Sequence, residues 1–208
     1  MPTRVIAVTS PRSTRRRLMS CVLVLSAICL TPAPSGAEEL KGELTWPADA
    51  DARAIRLLNL YTAYCVSFAL DDDARLEALN GSGLKPVDGS AYEYIGDDAG
   101  QTWSATDATG EFVIRVKDMQ GCTVYAREVS IADAERLFAY MSQNLPDWLL
   151  PPLIKYRDAW SANRLNHQIS YRADVPGSNI YVNVTLMTMA SPTARAHAFA
   201  NVVRVRRD

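Results

Sequence analysis

Histidine is nearly missing from this chain: its 208 residues include only His167 and His197. Neither stands in a G-x-S-x-G, H-E-x-x-H or H-x-E setting that would organise a nucleophile or a zinc ion, and a single histidine in an alternating strand reads as a packed or surface side chain. Glycine-rich phosphate loops are missing as well, so no nucleotide site is expected. The four cysteines contain no C-x-x-C pair, the spacing that makes thiols labile. Gly96-Asp97-Asp98-Ala99-Gly100 lacks the spaced ligands of a calcium loop and reads as a solvated turn. The 23 acids allow many carboxylate pairs and single out none. No catalytic residue, metal or cofactor is therefore expected.

Acids are absent from the first 37 residues. That stretch holds Arg4, Arg12, Arg15, Arg16 and Arg17, an apolar run from Leu18 to Leu30, and a tail ending Ser35-Gly36-Ala37. These are the three parts of a secretory signal, with small residues where cleavage needs them. The apolar run falls well short of the roughly 20 residues that span a bilayer. Residues 1–37 are expected to be removed, which sends a mature chain from Glu38 to the periplasm or beyond with no membrane span. Thr14-Arg15-Arg16-Arg17-Leu18-Met19 also fits a twin-arginine signal, so both export routes stay open. Ser26-Ala27-Ile28 before Cys29 departs from a lipobox, which makes a lipid anchor the minor alternative.

Cleavage would take five of the 22 basic residues and none of the 23 acidic ones, leaving a formal charge near −6. From Asp71 to Glu111 ten acids stand against Arg75 and Lys85, whereas from Pro151 onward eight bases stand against three acids. Nucleic acid, bound through phosphate neutralisation, is not an expected partner. A basic protein is, because an acidic face steers one. Cys21 and Cys29 leave with the signal; Cys65 and Cys122 remain in an oxidising space, where a disulfide is expected and two free thiols are the alternative.

After a leader from Glu38 to Pro47, residues 49–69 repeat Ile55, Leu58, Thr62, Cys65 or Val66, and Ala69 at helical spacing, which puts Cys65 on an apolar face. A second helix is predicted over Ala74 to Leu79, with Asp71, Asp72 and Asp73 as its cap and first turn. Trp103 to Thr106, Glu111 to Lys117 and Cys122 to Val129 read as three antiparallel strands joined by turns. Alternation sets Phe112, Ile114 and Val116 on one face and Cys122, Val124 and Ala126 on one face of the next strand. A helix carrying Cys65 laid there would bring the sulfurs together. The opposite face then presents Arg115, Tyr125 and Arg127, which form the candidate recognition surface together with Asp97 and Asp98.

Ser130 opens an amphipathic helix whose stripe is Ile131, Ala134, Leu137, Phe138 and Met141. Residues 147–153 form a proline-broken connection. Leu165 to Arg172 and Ile180 to Met189 alternate as two longer strands, and Ala194 to Val205 fits either a helix or an edge strand. The predicted architecture is α+β: an antiparallel sheet with helices packed on one face and one disulfide. Residues 38–208 are expected as a single domain, with 150–208 as a strand-rich C-terminal extension in the alternative reading.

Cys65 in the first helix, Trp103, Gly110-Glu111-Phe112 and Cys122-Thr123-Val124-Tyr125-Ala126-Arg127 followed by a helix resemble a family of small uncharacterised exported proteins and lipoproteins of Gram-negative bacteria. The resemblance covers about Ala54 to Gln143 and leaves the C-terminal third outside. It implies export and brings no activity with it; the missing lipobox departs from the lipoprotein members. The expected function is a non-enzymatic periplasmic binding protein, such as an inhibitor or immunity partner of a basic toxin or envelope enzyme. An envelope hydrolase using acidic residues and an envelope structural protein are the alternatives.

Overall fold

The computed structural model describes residues 44–89, 92, 95, 100–117 and 121–207. The expected signal segment and the pair Asp97 and Asp98 lie outside the described residues. Asp51 accepts the Ala54 N–H at 2.8 Å and starts helix α1 (Ala52–Leu60), as a short polar side chain does at an N-cap. The helix then widens into a π-helical stretch over Tyr61–Val66, closed by the Ser67 N–H reaching the Thr62 carbonyl at 3.0 Å. Where residues five apart stack, Tyr61, Cys65 and Val66 point the same way, and all three are fully buried.

Helix α2 (Asp72–Gly81) begins as its aspartates predict: Asp71 accepts the Ala74 N–H at 3.0 Å, and Asp72 and Asp73 fill the first turn. Helix α3 (Ile131–Asn144) starts at Ser130 and buries Ala134, Leu137, Phe138 and Met141. The strands are β1 (Lys85–Pro86), β2 (Gln101–Asp107), β3 (Gly110–Lys117), β4 (Gly121–Ala126), β5 (Ile154–Trp160), β6 (Asn166–Asp174), β7 (Ile180–Met189) and β8 (Ala198–Arg206). They form one antiparallel sheet in the order β1-β2-β3-β4-β8-β7-β6-β5. Two meanders, one on each side of α3, are thus joined by their last strands.

That join corrects two expectations. The run after Ala194 is neither helix nor edge: β8 lies inside the sheet between β4 and β7. Its buried residues Ala198, Ala200 and Val202 are small or branched, which suits a strand lying under helices and leaves a weak periodic signal. The edge on this side of the sheet is β5, absent from the sequence reading because all but one of its residues are exposed and it therefore shows no apolar alternation.

Helices α1 and α3 and the π stretch cover one sheet face. Its core includes Trp103, Phe112, Ile114, Val124, Tyr171, Val184, Leu186 and Val202. Cys65 and Cys122 form the expected disulfide, with Cα atoms 5.3 Å apart. The Tyr61 hydroxyl donates to the Asn201 carbonyl at 2.7 Å, which ties the π stretch to β8 as the disulfide ties it to β4. No helix among the described residues is long and apolar enough to cross a membrane.

Candidate functional site

Large apolar side chains left in water mark where a surface departs from the ordinary. Among the described residues six are exposed; Ile154, Tyr156 and Trp160 belong to β5, Leu165 immediately precedes β6, and Trp148 stands in the connection that leads into β5. Trp148 and Ile154 keep 69% and 70% of their surface in solvent. Only β6 pairs with β5, so its other edge carries backbone donors and acceptors with no strand beside them among the described residues. An edge with such groups and apolar side chains is a template for another strand.

Behind the edge is a buried polar knot. His167, on β6 and 7% exposed, places Nδ1 2.9 Å from Glu135 Oε1 of α3 and Nε2 2.8 Å from Asp158 Oδ1 of β5. Thr188 of β7 donates to the same Glu135 oxygen at 2.6 Å. A neutral imidazole donates from one nitrogen, an imidazolium from both, so two carboxylates favour the charged ring. Burial pushes the His167 pKa down, but the hydrogen bonds to Glu135 and Asp158 outweigh it, and the pKa lies above the ordinary value. Asp158 is held below the usual carboxylate range by its bonds to Lys155 and His167. With both nitrogens occupied, the ring holds β5 and β6 to α3 rather than standing ready to take a proton from a substrate.

The residues singled out from sequence fall elsewhere. Arg115 and Tyr125 do share the helix-free face, with the guanidinium carbon 5.8 Å from the ring centroid. Tyr125 is 7% exposed, packed in a small cluster with Val113, Ala196 and Ile95, and Arg115 donates to the Ile95 carbonyl at 2.9 Å. Ile95 and Ala196 thus pack against this pair on the helix-free face. Arg127 is exposed and lies past the end of β4. Part of the acidic stretch is engaged internally: Asp72 bridges Arg75 and Arg204, each at 2.7 Å, and Asp107 pairs with Arg56 at 2.8 Å. Among the described residues no group of three His, Cys, Asp or Glu side chains is placed to hold a metal ion.

Sequence reasoning also missed a polar belt on the helix-free face. The registers align Thr102, Arg115, Thr123, Asn201, Thr185, Ser170 and Arg157 across seven strands. Asn201 donates to Thr123 at 2.7 Å, and Ser170 and Thr185 are 2.9 Å apart. Each residue is an ordinary polar position in its own strand, and only the pairing of β4 with β8 makes the row. Comparison with protein-family models, with curated proteins and with solved structures finds no match.

Proposed function

We propose that this chain is an exported, non-enzymatic binding protein whose interaction surface is the free edge of β5. The observation that carries the reading is that Ile154, Tyr156 and Trp160 of this unpaired strand are exposed large apolar side chains, on a strand tied from behind to His167 through Asp158. Backbone groups supply affinity in strand addition, and side chains beside them supply selectivity. The signal-like composition of the first 37 residues supports an address in the periplasm or outside the cell.

Inhibition of, or immunity to, a basic toxin or envelope enzyme is the second reading. It draws on Asp71, Asp73 and Glu77, exposed on or next to α2, and a partner held there would dissociate as salt screens the charge.

A photo-activated cross-linker in place of Tyr156 tests the first reading in intact cells. Irradiation is expected to join the protein to another polypeptide chain, and the adduct should vanish when Trp160→Ala and Ile154→Ala are added. If position 156 joins to no other chain, the edge is not an interaction surface.

A further inference from the structure

We propose that the strand completing the β5 edge is β5 of a second copy, paired antiparallel about a two-fold axis normal to the sheet, with Lys155 opposite Asp158. This rests on the reading of that edge as an interaction surface.

Such an axis continues each face of the sheet into the other copy, so side chains directly opposite must share a face. In a regular strand, residues 155 and 158 point to opposite faces. A bulge between Lys155 and Arg157 changes this: Lys155 lies opposite Tyr171 and Asp158 opposite Ile169, both part of the helix-side core. Their ion pair, 2.5 Å between Nζ and Oδ2, places them on one side.

Setting Lys155 opposite Asp158 of the second copy also sets Asp158 opposite the other Lys155. Four charges then alternate in sign around the axis. The same register brings Tyr156 opposite Arg157 twice, a cation–π pairing, and Ile154 opposite Ala159 twice. Ile154 and Ala159 face Arg172 and Gln168 across β6, so they too share a side. Neighbouring registers fail. Arg157 opposite itself confronts like charges, and Arg157 opposite either Lys155 or Asp158 joins side chains from different faces. Charges and bulges protect sheet edges from indiscriminate pairing; here their spacing rejects other registers and admits one.

Sedimentation equilibrium of the mature chain is the test. The wild type is expected at twice the monomer mass. Lys155→Glu alone and Asp158→Lys alone are each expected as monomers, because opposing positions then carry like charges. An equimolar mixture of the two variants should recover the doubled mass, since every opposing pair is again of unlike sign. Circular dichroism checks that each variant folds. Should Asp158→Lys fail to fold for want of its His167 contact, the cross-linker at position 156 decides: an adduct of two copies of this chain is expected. A wild type that stays monomeric, or an adduct only with a different protein, overturns self-pairing and leaves the binding reading standing. No adduct between chains, or one only with residues before Leu44 of the same chain, overturns both.

Discussion

The imidazole of His167 lies parallel to the indole of Trp160, centroids 4.2 Å apart and planes 1° from coincidence. A charged ring over an indole gains from the quadrupole of the aromatic face. The stack therefore adds to the two carboxylate contacts that hold His167 as an imidazolium. Through it, Glu135 of α3, His167 of β6 and both Asp158 and Trp160 of β5 act as one unit. The outermost strand, poor in buried apolar surface, is held by this polar contact where hydrophobic packing is thin.

The attachment of β5 is expected to weaken as pH rises. The folded pKa of His167 lies above that of an unfolded imidazole, about 6.5. Its contribution to stability is therefore complete below that value and lost as pH climbs through the raised folded value. Above it the neutral ring can donate to only one of its two carboxylates. Hydrogen exchange of β5 amides, corrected for the intrinsic pH effect, should accelerate across this window in the wild type and show no such step in His167→Gln. Identical profiles for the two proteins would exclude His167 as the cause.

Asp72 should matter more to stability than its position on a surface helix implies. It is the carboxylate for Arg75, whose side chain is 2% exposed and whose other guanidinium contact is the Phe68 carbonyl. The same carboxylate ties α2 to β8 through Arg204. Asp72→Asn leaves a buried cation without its counter-charge and is expected to destabilise the fold by about 3 kcal/mol. For a chain of this size that lowers the midpoint by roughly 6–12 °C. Thermal unfolding of Asp72→Asn beside Asp73→Asn, an exposed neighbour expected to change little, provides the comparison.

What could be read in advance was whatever lies within one element or one turn. The hairpins from Trp103 to Ala126, the stripe of α3, the Asp71 cap and the placement of Cys65 above Cys122 follow from spacing and alternation, and the structure carries each of them. Most of the misses are matters of long range. That β8 pairs β4 at a separation of 72 to 80 residues, with Cys122 facing Asn201's neighbour Val202 and Ala126 facing Ala198, is not written in the local pattern of either strand. Alternation puts Arg115 and Tyr125 on the helix-free face, yet what packs against them there, Ile95 and Ala196, comes from distant loops. The β5 edge stayed hidden because exposed strands lack the alternation that burial imposes. His167 looked ordinary because its partners Glu135 and Asp158 sit on other elements.

Gly121 guards the join of the two meanders. Its φ is +110°, and a Cβ there would lie 2.1 Å from the Val202 carbonyl oxygen, in the backbone of the strand to which β4 is bonded. Both the dihedral and the contact exclude a side chain without moving β4 away from β8. Gly121→Ala is expected to destabilise by about 2–4 kcal/mol. Gly81→Ala, at a helical glycine with nothing within 4 Å of an added Cβ, is expected to be neutral or to stabilise by up to about 1 kcal/mol. Urea unfolding of the pair separates the effects of fit and of chain freedom, and equal midpoints would refute the assignment to Gly121.

The disulfide between Cys65 and Cys122 closes a loop of 57 residues, and restricting the unfolded chain to that extent contributes about 4 kcal/mol on the loop-entropy account. It also fixes the π-helical stretch to β4, the strand next to the join. Replacing both cysteines with alanine should lower the urea midpoint by the corresponding amount and leave the sheet recognisable by circular dichroism. Both sulfurs belong to fully buried residues, so a reductant reaches them only when the structure opens. The rate of reduction in native buffer is accordingly expected to follow the rate of opening, to rise with added urea and to saturate with reductant concentration. Reduction that stays first order in reductant and insensitive to urea would place the bond at the surface, contrary to its position between helix and sheet.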